Sequence, residues 1–402
     1  MKREFTIFDF GVYFFSFFPF LKIIPIASDM QPYALVFAIV YLLFAGKVFI
    51  SEFHIKLSPV LLIVFFMLMV PALFVNTTVW IGMLRKSFNY ISFFFVSLAV
   101  YNSLKRTNGL NEKLVKCFIC LWSLVSLIQL TYNKYFLSVL VSNFRTSPTR
   151  GVNGLASEPS FYGYMAIFFL ILSYNFKKQK RFYQVQCVLQ IVIFAQSAVS
   201  VVYLAVFFVA FLLEAFYKSF KKPKSLWKTL LAVGAVLIGI FSFLKIANTS
   251  LQNTRMVELL QKIAVSWKNI HTVQDVYLLD QSVGERVDAI VTAFSLFAEN
   301  YAFPQGFLYG DITGRIMSGY GVALYELGFF GLAMICIISI VLYKGFENGF
   351  VILVSVTAMM FSAVQFGTPM FAFICGYALY NRESALKKNQ NSTDDVMNIR
   401  NY

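Results

Sequence analysis

Charged residues and histidines are scarce in this chain. Asp, Glu, Lys and Arg make up 13% of its 402 residues, whereas hydrophobic residues make up 59%. In soluble domains about a quarter of the residues are charged. Because the charge is this sparse and the apolar residues recur from end to end, the composition excludes a soluble domain of ordinary size and indicates a membrane protein.

The sequence also lacks the motifs of nucleotide-dependent and metal-dependent soluble enzymes. It contains no P-loop, no dinucleotide-binding glycine fingerprint, no HExxH and no GxSxG. Its two histidines, His54 and His271, are too few for a histidine-based zinc site. The five cysteines lie in apolar runs, where packing is a more common role than disulfide or metal binding: Cys117, Cys120, Cys187, Cys336 and Cys375. We therefore expect no metal and no other cofactor.

Long apolar runs are what the sequence has in abundance. Several approach or exceed the roughly 18 residues that mark a membrane-crossing helix. They predict an all-α polytopic integral membrane protein with about twelve transmembrane helices, in a range of about ten to twelve. The predicted spans are 7–27, 32–50, 57–75, 87–104, 114–132, 160–176, 182–197, 199–217, 228–247, 323–343, 350–366 and 368–381.

The least regular stretch is 182–217, a long apolar segment with polar Gln196, Ser197 and Ser200 near its centre. Basic clusters flank it on both sides, and clusters of this kind stay in the cytoplasm. The chain must therefore cross the membrane an even number of times between them. We predict two short helices joined by a tight external turn.

Basic residues set the predicted orientation. The formal charge of +15 comes largely from short clusters between apolar runs, such as 177–181 and 218–228. The positive-inside rule places these clusters, and with them both termini, in the cytoplasm. They give no reason to expect a nucleic-acid partner. Residues 1–381 would form one transmembrane domain, followed by a polar cytoplasmic tail, 382–402, that we expect to be disordered.

Two predicted external segments, 133–159 and 248–322, differ from the short connectors elsewhere. Long loops in compact proteins are uncommon and often functional. Apolar residues at helical spacing predict an amphipathic helix over 256–270. A second is predicted in GERVDAIVTAFSLFAEN, where one apolar stripe is formed by Val287, Ile290, Val291, Phe294 and Phe297.

Five arginines fall in the two long external segments: Arg145, Arg150, Arg255, Arg286 and Arg315. The planar, permanently charged guanidinium suits phosphate and carboxylate recognition. The alternative is that some of them only pair with acidic residues on a solvated surface, where such pairs contribute little. We favour a functional role for Arg150 and Arg286, because each lies beside a glycine-bearing turn at the start of a predicted helix.

Two carboxylates have the strongest claim to a chemical role. Glu158 lies in GVNGLASEPSFYGYM, at the mouth of the span that begins near 160. Its simplest interpretation is helix capping, because Pro159 suits an early helical position and an acid suits the positive end of the helix dipole. An ionisable group at a membrane boundary is also a functional candidate. Glu326, near the outer end of the span at 323–343, has an equal claim.

Three stretches of sequence resemble a known family. GVNGLASEPSFYG, preceded by Arg150, resembles an Arg, Gly and Glu-Pro element that comes before a helix. AQSAVSVVYLAVFF resembles the serine-bearing helix pair that follows, and ERVDAIVTAFSLFAENYAFPQGF with YGVALYELGFFGL resembles the block that closes the large external loop. Together they resemble the Wzy-type O-antigen and capsule polymerases, relatives of the O-antigen ligases among the GT-C-like membrane glycosyltransferases.

This resemblance implies a GT-C-like fold and the activity of a bacterial glycosyltransferase. The enzyme would polymerise undecaprenyl-pyrophosphate-linked oligosaccharide repeat units of O-antigen, capsule or exopolysaccharide at the periplasmic face of the cytoplasmic (inner) membrane. It would need no metal. Its partners would be the lipid-linked oligosaccharide and membrane lipids, while binding of a chain-length regulator protein is left open.

The implied reaction gives each candidate residue a role. Cations would hold the pyrophosphate leaving group, and a carboxylate would accept the proton of the acceptor hydroxyl or orient the cations. The clamp would consist of Arg150, Arg286 and Arg315, and the carboxylate would be Glu158 or Glu326. The other substrate-binding candidates are Arg145, Arg255, Tyr162, Tyr320 and Tyr325, of which the tyrosines would stack on sugar or donate hydrogen bonds.

Two other activities stay open at this point. O-antigen ligases carry a His-Asn pair shortly before the closing glycine element, and this chain has Met317-Ser318 there, which favours a polymerase. A flippase or other transporter of lipid-linked oligosaccharide would suit the same number of helices. Transporters often have repeated halves and polar sites near the bilayer midplane. This sequence has no visible repeat, and its unusual residues lie at the outer boundary, so a polymerase is favoured.

Overall fold

The computed structural model describes residues 5–23, 28–45, 80–146, 150–220, 275–276, 281–307, 318–362 and 364–400. Within these ranges the chain is all-helical, and its β-type pairing is limited to an isolated bridge between Leu21 and Val141. The described α-helices are α1 (Ile7–Phe17), α2 (Tyr33–Ala45), α3 (Trp80–Thr107), α4 (Glu112–Thr131), α5 (Pro159–Ser173), α6 (Lys180–Leu189), α7 (Ala198–Phe220), α8 (Gln281–Glu299), α9 (Gly319–Leu327), α10 (Phe329–Gly345), α11 (Gly349–Ser362) and α12 (Pro369–Arg400).

The prediction of an all-α chain is confirmed for these residues. The predicted spans 57–75 and 228–247 and the predicted amphipathic helix at 256–270 lie outside the described residues. The first span is shorter than predicted, because α1 ends at Phe17. Pro19 follows two residues later, and proline cannot continue a helix without losing a backbone hydrogen bond.

Two described helices are long and apolar enough, by length and composition, to cross a membrane: α4 and the segment Ala198–Ser219 of α7. Five shorter ones are also apolar, namely α1, most of α2, α5, α10 and α11. These helices are consistent with a helical membrane protein. The number of crossings and the orientation of the termini stay predictions.

The division of the segment 182–217 into two helices is confirmed. Helix α6 continues as a π-helix over Gln190–Ala195, and the backbone of Gln196 then takes a left-handed φ of 43°. Helix α7 begins two residues later, at Ala198. The polar residues at the centre of this apolar stretch therefore mark a tight turn, as their position predicts.

The predicted span 323–343 is not one helix but two, because the chain breaks at Gly328. This residue ends α9 and precedes α10 with a φ of 55° and a ψ of −129°, a conformation that side chains with a Cβ rarely adopt. A Cβ at this position would lie 2.3 Å from the carbonyl oxygen of Ala302. The break lets the amide of Phe329 donate to that carbonyl at 2.8 Å, which joins α10 to the end of α8.

Helix α8 confirms the helix predicted in GERVDAIVTAFSLFAEN, but its buried face differs from the predicted stripe. Its most buried residues are Gly284, Ala289 and Ala293, whereas Val291 and Phe294 are about half exposed. Small residues let helix backbones approach closely, and α8 contacts α7, α9 and α11. The most deeply buried positions of α8 are therefore small side chains, and Phe294 adds a stacking contact with Phe361 of α11, with ring centroids 5.2 Å apart.

The tail after Arg382 is helical to Arg400, so the expectation of disorder is wrong. No glycine or proline interrupts this part of the sequence. Near its start, Glu383 accepts a hydrogen bond from Tyr101 and lies 3.6 Å from the Nζ atom of Lys105. These contacts attach the beginning of the tail to α3.

A buried carboxylate joins the first three helices. Asp9 has no exposed surface, and its Oδ1 accepts from the hydroxyls of Tyr41 at 3.2 Å and Ser103 at 2.9 Å. Its Oδ2 accepts from the amide of Thr6 at 2.8 Å and from the guanidinium of Arg106. Because both oxygens are fully engaged, we interpret this network as structural.

Helix α5 lies at the centre of the bundle. Every residue over 162–173 is buried, and α5 contacts α6, α7, α12 and the π-helix. Its first residue, Pro159, directly follows Glu158. The core therefore holds the amino-terminal end of α5 in a fixed place, close to one end of α7.

Candidate functional site

The segment before α5 is held in place by side-chain hydrogen bonds to the backbone. The amide of Gln129 bonds both the N–H and the carbonyl of Gly154, at 2.7 and 2.8 Å. The Nδ2 atom of Asn153 donates to the carbonyls of Arg145 at 2.9 Å and Ser157 at 2.8 Å. This fixed loop determines where Glu158 enters α5.

Glu158 occupies the N-cap position of α5, but its side chain makes no capping hydrogen bond. One carboxylate oxygen accepts a hydrogen bond from the hydroxyl of Ser160, and the other lies 3.6 Å from a guanidinium nitrogen of Arg145. The expectation that the Glu158 side chain caps the helix by a hydrogen bond is therefore wrong, because its carboxylate contacts Ser160 and Arg145 and not the helix amides. Its backbone still begins the helix, since its carbonyl accepts from the amide of Tyr162 at 3.2 Å.

Arg145 lies between two carboxylates. Its guanidinium donates to Asp29 at 2.8 Å and lies 3.6 Å from Glu158. Asp29 also accepts from the Nδ2 atom of Asn143, at 3.0 Å. The positive charge of Arg145 is thus already balanced within the protein, even though its side chain is 53% exposed. Sequence analysis missed Asp29, because nothing in the sequence links the α1–α2 connection to the loop before α5.

Arg286, in the first turns of α8, has no such ion pair with any residue that the structure describes. Its Nε atom is buried and has no hydrogen-bond partner. Burial lowers the pKa of Arg286, but interactions with Tyr164, Tyr203, Glu158 and Glu285 outweigh this effect and raise the pKa above its ordinary value. Arg286 is therefore a permanent cation that interacts electrostatically with Glu158 and has free donors.

Two tyrosines of the bundle core interact electrostatically with this cation. Tyr164 of α5 and Tyr203 of α7 have ring centroids 5.7 Å apart, and the hydroxyl of Tyr203 shares a hydrogen bond with Ser362 of α11. Tyr164 is 6% exposed, and its hydroxyl interacts with those of Ser160 and Tyr203, although neither contact has good hydrogen-bond geometry. We refer to Glu158, Tyr164, Tyr203 and Arg286 as the Arg286 cluster.

The Arg286 cluster brings together groups with complementary chemistry. Arg286 offers donors and a fixed positive charge to an anion, and the amino-terminal end of α5 adds the positive end of a helix dipole. Glu158 offers a carboxylate beside that charge. An anionic ligand held by Arg286 would therefore lie next to a group able to accept a proton.

Of the other predicted arginines, the structure describes only Arg150. It is exposed, and its backbone carbonyl accepts a hydrogen bond from the Nζ atom of Lys134. Its guanidinium makes no ion pair with a described residue. Arg255 and Arg315 lie outside the described residues, so their roles stay predictions.

Glu326 lies apart from the Arg286 cluster. It has no exposed surface, and it accepts a hydrogen bond from the hydroxyl of Tyr90 at 2.7 Å, which links α9 to α3. It is not among the charges that act on Arg286. Because Glu158 interacts electrostatically with Arg286, it is the better candidate of the two for a carboxylate that acts with this arginine, and that role stays a prediction.

The three predicted tyrosines are all buried. Tyr162 has no exposed surface and stacks on Trp122 with ring centroids 5.5 Å apart. Tyr320 is also fully buried, with the ring of Phe361 edge-on at 5.3 Å, and Tyr325 is 5% exposed and lies against Ala293 of α8. Their proposed contacts with sugar stay predictions, although none of the three presents an open face in this structure.

The chain matches no family model, no curated protein and no solved structure. The resemblance to the Wzy-type polymerases therefore stays a hypothesis carried by short stretches of sequence. The Arg286 cluster is a separate observation, because it comes from the packing of Tyr164 on Tyr203 and the electrostatic interactions of Arg286, and does not require those stretches to be related to any family.

Proposed function

We propose that this protein is a multi-pass membrane glycosyltransferase of bacteria that polymerises undecaprenyl-pyrophosphate-linked oligosaccharide repeat units at the periplasmic face of the cytoplasmic membrane. The product would be O-antigen, capsule or exopolysaccharide. The single observation that carries this proposal is the guanidinium of Arg286, which is partly buried, forms no ion pair with a described residue and interacts electrostatically with Glu158 at the start of α5.

The physical argument starts from the cost of burying charge. A buried ion without a partner loses its hydration and gains little in return, so buried charges are usually paired. A bound anion would supply the ion-pair partner that Arg286 does not find among the residues the structure describes. Pyrophosphate suits this place, because arginine binds phosphate oxygens through several parallel hydrogen bonds and the end of α5 favours negative charge.

The proposed reaction transfers the growing chain from one lipid carrier to the next lipid-linked unit. A hydroxyl of the incoming unit attacks the anomeric carbon of the growing chain, and the bond between that carbon and the pyrophosphate oxygen breaks. Glu158 accepts the proton of the hydroxyl, and the lipid pyrophosphate leaves with the bonding electron pair. Arg286 stabilises the negative charge that develops on the leaving oxygen.

The positions of the other residues support this division of roles. Ser160 and Arg145 hold the two oxygens of Glu158, which orients the carboxylate. Arg145 balances part of its charge and so keeps it from repelling the pyrophosphate. Arg150 is exposed near the same loop, where it would meet the lipid-linked substrate as it arrives.

The deciding experiment incubates the purified protein, in lipid nanodiscs, with lipid-pyrophosphate-linked repeat units and separates the products on a gel. A ladder of products is expected from the wild type and from Arg181→Ala, a matched control at an exposed arginine of α6. Arg286→Ala and Glu158→Gln should give no ladder.

Three results would contradict the proposal. Transfer of a single unit to lipid A-core would indicate a ligase, and movement of intact lipid-linked units across the membrane of vesicles without any product would indicate a transporter. A ladder of wild-type length from Arg286→Ala would show that polymerisation does not depend on the Arg286 cluster.

A further inference from the structure

A pocket of about 630 Å³ lies at the carboxyl-terminal ends of α7 and α10 and the start of α11. Its volume falls in the range of small-molecule sites, about 300–1,000 Å³. Phe346 and Gly349, which are buried, line it together with Tyr217, Tyr343 and Phe350, which are exposed. Four aromatic residues therefore line this pocket, which we refer to as the α7–α10 pocket.

Two opposite charges in the α7–α10 pocket are already balanced by each other. The Nζ atom of Lys218 lies 2.6 Å from one carboxylate oxygen of Glu214 and donates to the side-chain oxygen of Asn348 at 3.1 Å. The other oxygen of Glu214 accepts from the amide of Val351, in the first turn of α11, at 3.1 Å. Because both charged groups have partners within the protein, neither needs a ligand to complete its contacts.

Glu347 adds a negative charge to the pocket that no described residue balances. Its backbone carbonyl accepts from Lys218 at 3.5 Å, but its exposed carboxylate forms no ion pair with a residue that the structure describes. A carboxylate accepts strong hydrogen bonds from an ammonium group, and the faces of aromatic rings attract the same charge. The chemistry of the pocket therefore favours a ligand with an ammonium group.

The apolar surface next to the pocket favours a lipid over a water-soluble amine. Val209, Leu213 and Tyr217 follow one another at four-residue spacing along α7, and each is more than half exposed. Residues at this spacing share one face of a helix. They belong to Ala198–Ser219, the segment that is long and apolar enough to cross a membrane. Because Leu213 and Tyr217 also line the pocket, an acyl chain could cover this stripe while its head group lies in the pocket.

We infer that the α7–α10 pocket binds a phospholipid with a primary ammonium head group, phosphatidylethanolamine. Glu347 and the aromatic rings hold the ammonium group, and one acyl chain lies along the stripe formed by Val209, Leu213 and Tyr217. The positive-inside rule, applied to the basic cluster at 218–228, assigns this lipid to the cytoplasmic leaflet. The inference requires that α7 crosses the membrane, but it does not depend on the polymerase reaction.

Native mass spectrometry of the full-length protein, purified in detergent and titrated with phosphatidylethanolamine or phosphatidylglycerol, measures this binding. The titrations compare the wild type with Glu347→Gln, which removes the charge and keeps the shape of the side chain. Glu299→Gln is the matched control, because Glu299 is an exposed carboxylate at the end of α8 that does not line the pocket. Melting curves without added lipid check that each variant is folded. A further titration uses soluble phosphoethanolamine, which has the same head group and no acyl chain.

The wild type and Glu299→Gln should bind phosphatidylethanolamine at least about tenfold more tightly than phosphatidylglycerol, and Glu347→Gln should lose this preference through a Kd for phosphatidylethanolamine that rises about tenfold. Soluble phosphoethanolamine should bind far more weakly than the lipid, because it buries no acyl chain. An unchanged preference in folded Glu347→Gln, or no preference in the wild type, would overturn the ammonium site. Equal binding of phosphoethanolamine and the lipid would overturn the role of the α7 stripe. None of these results bears on the Arg286 cluster, which the polymerase assay tests separately.

Discussion

Replacing Arg286 by methionine should stabilise the protein in the absence of ligand and abolish its function. The guanidinium is partly buried, its Nε atom has no partner, and no carboxylate among the described residues forms an ion pair with it. At neutral pH Tyr164 and Tyr203 carry no charge, so only the electrostatic interactions with Glu158 and Glu285 offset the desolvation of the guanidinium, and they do so without a close ion pair among the described residues. Methionine has a similar length, fills the same space and carries no charge.

The size of the stabilisation expected in Arg286→Met depends on the partial exposure of the arginine side chain. Replacing buried ionic groups by apolar ones of similar volume gains about 1–4 kcal/mol. Because solvent still reaches part of Arg286, we expect the lower part of that range, about 1–2 kcal/mol. In domains of 150–250 residues each kcal/mol shifts Tm by about 2–4 °C. For this longer chain we expect a rise of about 1–4 °C.

Adding pyrophosphate should make the wild type more stable than Arg286→Met. A ligand at 100 times its Kd stabilises the protein that binds it by about 2.7 kcal/mol. The wild type should gain this stabilisation and Arg286→Met should not, so the wild type should melt at the higher temperature once pyrophosphate is added.

The assay is differential scanning fluorimetry of the protein in nanodiscs, with and without inorganic pyrophosphate. Arg181→Met is the control, because Arg181 is exposed and its replacement should leave both melting curves unchanged. The reasoning would be refuted if Arg286→Met melted below the wild type without ligand, since the guanidinium would then be a net source of stability. Equal stabilisation of both proteins by pyrophosphate would refute the proposed anion site.

Three further substitutions test the surroundings of the site and the fold. Asp29→Asn weakens the 2.8 Å contact with Arg145, so it should lower polymer yield severalfold on gels. Tm should change by no more than about 1–2 °C, because the ion pair is partly exposed. Gly328→Ala should lower stability by about 3 kcal/mol or more, seen as a lower Tm, because its Cβ would lie 2.3 Å from the carbonyl oxygen of Ala302 at a φ of 55°. Asp9→Asn should lower stability by about 3–5 kcal/mol, because it breaks a buried ion pair, yet the folded fraction should bind pyrophosphate with unchanged Kd.

The helices could be predicted from the sequence because each depends on a local pattern. Apolar runs gave most of the described elements, and the polar group around Gln196 correctly placed the turn between α6 and α7. The break at Gly328 could not be predicted in this way. It depends on the approach of the Ala302 carbonyl, which belongs to a different part of the chain.

In the candidate site, too, contacts between distant parts of the chain could not be predicted from the sequence. Glu158 and Arg286 could be selected because a charge beside an apolar run is conspicuous in the sequence. Tyr162 and Tyr164 lie two residues apart on one helix, so composition cannot tell which one lies near Arg286. The structure places Tyr162 against Trp122 and Tyr164 beside Tyr203. The most deeply buried positions of α8 were missed for a related reason, because small residues such as Ala289 and Ala293 carry little weight in an apolar stripe.

Arg145 and Arg286 differ in how their charges are balanced, and this difference predicts where an anion would bind. Both arginines interact with Glu158, but Asp29 and Glu158 together balance the charge of Arg145, whereas no ion pair with a described residue balances Arg286. A charge that is already paired gains little from a ligand, because the ligand must first replace the existing partner. An unpaired and partly buried charge gains more, because its desolvation has already taken place on folding. An incoming pyrophosphate should therefore bind on the side of α8 and leave Arg145 to hold the carboxylate that takes the proton.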